Sequence, residues 1–226
     1  MPELCRMKGM LYYCYDAYCG WCYGFSAVMN EVAVEYADRF ETEVLSGGMI
    51  ITNKPRHISV TAGYIQKAYK TVEEGTGVTF GEDYLWHIFN PDKSDWFPSS
   101  LKPAVALCIF KEYFPHLQIQ FTSDLQYSLH YEGRDLCDDE AYRHLLAKYQ
   151  LPEEDFFKKL RSEEYNQKAQ TEFALVKQLQ VTGYPTVLFQ VNKTKFYLLT
   201  RGYTDYITLK NNIERCLQES IPTSDV

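Results

Sequence analysis

The stretch Tyr18-Cys19-Gly20-Trp21-Cys22-Tyr23 lies directly after a short aromatic strand pattern, Leu11-Tyr12-Tyr13-Cys14-Tyr15, and directly before an amphipathic helix pattern. A cysteine in the first turn of a helix faces backbone N–H groups that have no intrahelical partner, together with the positive end of the helix dipole. Both favour thiolate over thiol. The thiolate is the nucleophile, and a second cysteine three residues on can resolve a mixed disulfide formed on Cys19 from within the same turn. The Cys19/Cys22 pair therefore reads as a two-electron redox unit. The same spacing also serves as half of a zinc knuckle, but zinc needs four ligands. Cys14, Cys19 and Cys22 supply three only if strand and turn fold back, no second knuckle exists, and none of the five histidines lies nearby in sequence. No metal is expected. Two buried cysteines without chemistry are disfavoured by Gly20 and by the strand-to-helix position.

Downstream of the pair, Phe25, Val28, Met29, Val32, Ala33, Tyr36 and Phe40 recur at three and four residues, which predicts an amphipathic helix running to about Arg39. Thr42 to Ser46 reads as a brief second strand closed by Gly47-Gly48, and completes a βαβ unit. From about Gly47 to Gln180 helical periodicity dominates. Helices are predicted over Thr61 to Thr71, ended by Gly75-Thr76-Gly77, and over Tyr84 to Phe89, Leu101 to Tyr113, Phe121 to Tyr131 and Asp138 to Tyr149. Leu151-Pro152-Glu153-Glu154 opens a short one, and Tyr165, Ala169, Phe173, Val176 and Leu179 stripe a long one. Strands return at Val181. Thr186 to Val191 and Lys195 to Thr200 flank Asn192-Lys193-Thr194 as an antiparallel hairpin, and a closing helix after Thr204-Asp205 carries Tyr206, Leu209, Ile213 and Leu217 on one face. The tail from Pro222 is expected to fray. This order is that of a thioredoxin-like α/β fold interrupted after its second strand. Residues 8–47 and 181–220 form a discontinuous thioredoxin-like domain, and residues 48–180 form an inserted α-helical domain.

Val181-Thr182-Gly183-Tyr184-Pro185-Thr186 is the second functional stretch. Pro185 falls just before the third strand, where the backbone of Tyr184 can pair with an extended substrate segment beside Cys19 by strand addition. An ordinary trans proline ending the long helix is the plain alternative. Trp21 divides between packing on the insertion and gripping substrate, and Asp16 reads first as ordering the turn by hydrogen bonding and second as a proton relay.

Asp16-Ala17-Tyr18-Cys19-Gly20-Trp21-Cys22-Tyr23-Gly24-Phe25 resembles the active-site stretch of DsbA-like thiol-disulfide oxidoreductases of the thioredoxin superfamily, in their FrnE-like, protein-disulfide-isomerase branch. The stretch through Pro185 is similar to that family's Val-x-Gly-x-Pro-Thr, and the intervening helices match its inserted domain. The resemblance implies that Cys19 is the attacking, solvent-facing thiol, Cys22 the resolving one, and Pro185 a cis-proline facing them. The best known oxidant of the branch has Pro-His between its cysteines where this chain has Gly-Trp. Trp21 supplies no cation and an ionised Asp16 would oppose the thiolate, so a milder couple is expected. A glutathione-dependent isomerase or transferase of the kappa-like branch, working through a single thiol, is the alternative enzyme, and a holdase-like module with an aromatic groove is the non-enzymatic one.

The chain has 226 residues, 46% hydrophobic and 23% charged, with 19 Tyr and 13 Phe, so it can bury a sizeable core. Its net charge of −7 offers no electrostatic footprint for nucleic acid or anionic membrane, and neither is an expected partner. Ala104 to Phe110, the longest apolar run, is far too short to span a bilayer, and the first residues lack the apolar core of a signal peptide, so a cytoplasmic setting is expected. In a reducing cytosol the substrates are protein or small thiols and disulfides, glutathione among them, and no organic cofactor is needed. Seven cysteines without repeated spacing argue against a structural disulfide framework. Cys5, Cys14, Cys108, Cys137 and Cys216 read as small buried hydrophobes or quiet surface thiols.

Overall fold

The computed structural model describes residues 9–51, 54–192 and 194–219. Cys5, the ends of the expected thioredoxin-like segments at residues 8 and 220, Lys193 of the expected hairpin turn and the tail from Pro222 lie outside the described residues.

A four-stranded sheet in the order β2-β1-β3-β4 organises the chain. Strand β1 (Met10–Tyr15) runs parallel to β2 (Glu41–Ser46), with Tyr13 opposite Val44 and Tyr15 opposite Ser46. Its other edge pairs antiparallel with β3 (Thr186–Gln190), which in turn pairs antiparallel with β4 (Phe196–Arg201). Helix α1 (Gly20–Glu35) makes the crossover from β1 to β2, burying Cys22, Phe25, Met29 and Val32. It begins five residues ahead of the apolar periodicity, because Cys19 is its N-cap and the Cys19 side chain accepts from the Cys22 N–H. The crossover and closing hairpin match a thioredoxin-like α/β fold, with the helical insertion between β2 and β3.

The insertion holds α2 (Ser59–Thr76), α3 (Glu82–Phe89), α4 (Leu101–Tyr113), α5 (Gln118–His130), α6 (Arg143–Tyr149), α7 (Glu153–Leu160) and α8 (Glu163–Gln178), and α9 (Tyr206–Glu219) closes the fold. Three edges depart from the sequence pattern. Helix α2 passes through Gly75 and stops at Gly77, whose φ of 78° is the left-handed cap that ends helices. The segment expected as one helix from Asp138 divides into a tight 3-10 turn, Asp139–Tyr142, and α6. Val181 is not in a strand; it packs with the buried Cys14, Leu45 and Val176, and β3 starts only after Pro185.

One hydrophobic core runs through sheet and insertion alike, from Leu11 and Phe25 to Phe110, Leu125 and Leu146. The Phe110 and Phe121 rings stack with centroids 4.0 Å apart where α4 meets α5. Among the described residues no helix is long and apolar enough to cross a membrane. A buried ion cluster adds a polar tie between the two parts. Lys111 Nζ on α4 lies 2.5 Å from Glu43 Oε1 on β2 and 2.7 Å from Glu172 Oε1 on α8, and it also donates to the Val44 carbonyl. Burial disfavours the ammonium, but the two carboxylates outweigh it and hold its pKa above the usual lysine value. Replacing Lys111 by Met leaves Glu172 buried beside Glu43 without a countercharge. The expected cost is about 3–5 kcal/mol, read as a lowered urea midpoint at an unchanged m-value.

Candidate active site

The site forms where β1 ends. Asp16, Ala17 and Tyr18 make a turn closed by the Cys19 N–H donating to the Asp16 carbonyl at 3.1 Å, and α1 starts at once. Cys19 Sγ accepts the Cys22 N–H at 3.3 Å and lies 3.6 Å from the Tyr184 carbonyl oxygen, to which the thiol donates. A backbone N–H aimed at sulfur is the local stabilisation of negative charge that the helix terminus offers. The two thiols differ in access: Cys19 is 7% exposed and lines a cleft, whereas Cys22 is 0% exposed beneath it. Burial, followed by contact with the Cys19 thiol, pushes the Cys22 pKa well above that of a free cysteine. Cys19 is thus the accessible member of the pair, although it sits at the floor of a cleft rather than on an open surface.

Pro185 and Tyr184 face this pair across the sheet. The Tyr184–Pro185 peptide bond is cis, and the Tyr184 hydroxyl donates to the Gly47 carbonyl at 2.8 Å. A Cβ at Gly47 would stand 2.1 Å from the Tyr184 ring, so glycine is what lets the ring approach. Trp21 is half-buried on the first turn of α1; its ring centroid lies 6.3 Å from that of Tyr203, and the residue lines the cleft.

Asp16 is buried and ties this turn to the insertion. Its Oδ1 accepts from the Tyr18 N–H and from Ser100 Oγ, each at 3.0 Å, and its Oδ2 accepts from the Met49 N–H at 2.7 Å. Burial raises its pKa, and the hydrogen bonds from Met49, Tyr18, Ser100 and Gly48 oppose that rise. Ser100 Oγ also accepts from the Ile50 N–H at 2.9 Å, so one small network fixes Met49 and Ile50 as a wall beside Cys19. Among the described residues, no group of three or more His, Cys, Asp or Glu side chains is placed to hold a metal ion.

The cleft has a volume of about 450 Å³ and lies between the redox turn and the insertion. Ile65, Ala68, Tyr69 and Val72 of α2 form one side, with Met49, Ile50, Phe80 and Trp96 around them, and among the described residues no Lys, Arg, His, Asp or Glu lines it. Tyr64 and Met49 at its rim are 72% and 47% exposed. Below it, helix α5 supplies two supports that sequence reasoning missed. Gln126 Nε2 donates to the Asp16 carbonyl at 3.3 Å while its Oε1 accepts from Ser26 Oγ at 3.0 Å. His130 stacks on Tyr23 with centroids 5.0 Å apart. Both residues sit in a segment whose only sequence signal is an apolar stripe, Ser100 is marked only by the helix-start signal Pro98-Ser99-Ser100, and no motif marks the α2 face.

The fold that carries this site recurs in known proteins. A family model described as a DSBA-like thioredoxin domain matches residues 11–213. The chain belongs to that family. Thiol-disulfide oxidoreduction is accordingly its reaction class. A candidate protein disulfide isomerase from Nitrosomonas europaea superposes with a TM-score of 0.82 at 22% identity, covering 94% of this chain and 98% of that one. The cytosolic disulfide reductase DsbM from Pseudomonas aeruginosa gives 0.75 at 21% identity over 93% and 99% of the two chains. The same protein in a structure with GSH gives 0.71 at 24% over 92% and 99%. At these identities the likeness establishes the fold. A search of curated proteins returns no match.

His130 makes the support under the site pH-sensitive. Burial lowers its pKa to about 4, against about 6.5 in an unfolded chain. Between these values the unfolded chain binds the extra proton, so folding stability falls as pH drops through the window, with the loss complete below the folded value. Denaturant unfolding over a pH series should therefore show a slope in the native protein that His130→Gln flattens by up to about 1.4 kcal/mol per pH unit.

Proposed function

We propose that the chain is a dithiol oxidoreductase that reduces or isomerises disulfides, with Cys19 attacking and Cys22 resolving. The observation that carries this reading is the pairing of Cys19 Sγ with the Cys22 N–H at the helix cap, opposite the Tyr184 carbonyl, with only Cys19 on the cleft. The Cys19 thiolate attacks one sulfur of a substrate disulfide; a Cys19–substrate bond forms and the other substrate sulfur leaves as thiolate. Cys22 then attacks Cys19 Sγ, the Cys19–Cys22 bond forms, and the second substrate thiol departs. The protein has given up two electrons and the substrate disulfide has gained them. A thiol such as glutathione returns the pair to the dithiol.

The site supports a mild rather than strongly oxidising couple. No cation stands between the cysteines in Gly20-Trp21, and the charge of Asp16 acts to raise the Cys22 pKa further. A reducing compartment, like that named for the DsbM neighbour, would keep such a pair as a dithiol and favour reduction or isomerisation. The uncharged cleft fits an apolar side chain next to the substrate cysteine. Glutathione, with two carboxylates and an ammonium group, finds no charged partner in that lining and serves better as the recycling thiol with its ends in solvent. A kappa-like single-thiol enzyme has no use for a second cysteine held at the first.

Reduced Cys22→Ser protein, mixed with a peptide disulfide, should accumulate a stable mixed disulfide on Cys19 detectable by intact mass, and Cys19→Ser should form none. Turnover by Cys22→Ser at the native rate would replace this reading with the single-thiol one. For the cleft, Ala68→Trp is expected to lower kcat/KM about tenfold for a disulfide peptide with Phe beside its cysteine; an unchanged value would place the substrate elsewhere.

A further inference from the structure

Gln126 is a buried amide among apolar neighbours. It lies on α5, one residue after Leu125 and three before Leu129, and it is 1% exposed. A primary amide carries two donors and an acceptor, and burying it is costly unless those atoms find partners. Its partners are specific. Gln126 Nε2 donates to the Asp16 carbonyl at 3.3 Å, and Gln126 Oε1 accepts from Ser26 Oγ at 3.0 Å. The Asp16 carbonyl can only accept, so turning the amide round would set oxygen against oxygen.

Both partners are joined in turn to the backbone of the redox pair. The Asp16 carbonyl also accepts the Cys19 N–H at 3.1 Å, which closes the turn ahead of α1. Ser26 Oγ lies 3.3 Å from the Cys22 carbonyl, one helical turn back. Ser26 has a single hydroxyl proton, so Gln126 Oε1 and the Cys22 carbonyl share it. One side chain of the insertion therefore reaches the redox turn at both ends, each time through one intervening group. The helix that carries it is fixed there as well. His130 Nδ1 donates to the Gln126 backbone carbonyl at 3.0 Å, and the His130 ring stacks on Tyr23, the neighbour of Cys22.

The two redox states depend on these bonds unequally. In this structure both cysteines are free thiols, and no covalent bond closes the turn. Hydrogen bonds hold it instead: Cys19 N–H to the Asp16 carbonyl, Cys22 N–H to Cys19 Sγ at 3.3 Å, and the Gln126 bridge. In the disulfide a covalent bond with its own fixed geometry closes the same turn, and the bridge has less to contribute.

We propose that Gln126 is a positioning residue for the redox pair: its bridge from the Asp16 carbonyl to Ser26 holds the turn in the dithiol form and so raises the reduction potential. This rests on the dithiol reading above. On oxidation the S–H bonds of Cys19 and Cys22 break and the Cys19–Cys22 bond forms. The two electrons and two protons released reduce one glutathione disulfide to two glutathione molecules. Gln126 touches none of the reacting atoms. It acts through the backbone of the turn, and it favours the dithiol side of the exchange.

The test is a redox titration of the native chain and its variants in glutathione buffers of graded ratio, with thiols counted by alkylation and intact mass. Gln126→Met keeps an unbranched side chain and removes both polar ends. It is expected to raise the equilibrium constant for oxidation by glutathione disulfide about two- to tenfold, and tenfold corresponds to a potential about 30 mV more negative. Ser26→Ala removes one end of the bridge at a half-buried position and should move the constant the same way by a smaller factor. The double variant should fall short of the product of the two single effects, because both residues belong to one network. A lowered melting temperature in Gln126→Met with an unchanged equilibrium constant would overturn the proposal, since a merely structural amide supports both redox states alike. A shift in the opposite direction would overturn it too. Should Gln126→Met fail to fold, the constant measured for Ser26→Ala decides by the same criteria. If the native chain shows no two-electron transition at any glutathione ratio, the dithiol reading fails and this proposal with it; a native transition that the variants share unchanged removes this proposal alone.

Discussion

The carboxylate of Asp16 holds the redox turn in register with the inserted helices. A buried charge is tolerated only where hydrogen bonds replace its lost hydration, and here the donors come from the turn itself, from the segment after β2 and from the start of α4. That choice of donors has a structural consequence. The turn that places Cys19 and the segment Met49-Ile50 that walls the cleft cannot move independently, because one anion anchors both. Gln126 repeats the device from below through the Asp16 carbonyl. The Cys19 cap and the cleft wall are therefore held as one unit, the condition under which a group on a helix terminus stays aimed.

With Asp16 committed to this anchoring, the chemistry of the two cysteines divides by depth. Cys19 takes its stabilisation from the helix terminus and its access from the cleft, whereas Cys22, held beside it, is desolvated and its thiol pushed up. The Lys111 cluster in turn ties β2 to α4 and α8.

Much of the fold was legible because its signals are local. The aromatic run at Leu11, the Cys19/Cys22 spacing and the stripe Tyr165, Ala169 and Val176 each lie within one element, and all reappear there. Where the reading slipped, a cap or a turn decided the edge: α2 runs through Gly75 to the left-handed cap at Gly77, and Val181 is packed core before the Pro185 turn rather than strand. The supports of the site were illegible for a different reason. Ser100 is 84 positions from Asp16 and Gln126 is 110, and a lone buried polar residue in an amphipathic stripe has the same sequence signature as an exposed one.

The insertion, more than the sheet, sets what reaches Cys19. The sheet side contributes Tyr184 and the turn residues beside Cys19, while α2 supplies Ile65, Ala68, Tyr69 and Val72 as the facing wall. Substitutions on that wall change the cleft's shape and polarity without disturbing the cap, because α2 donates none of the hydrogen bonds that hold Asp16 or Cys19. Exposed apolar groups at the rim, Met49 and Tyr64, extend the wall outward and enlarge the apolar area a bound chain can cover. On the proposed dithiol reading, separating a fixed nucleophile from an adjustable wall lets one redox unit be directed to different disulfides by changing a single helix face.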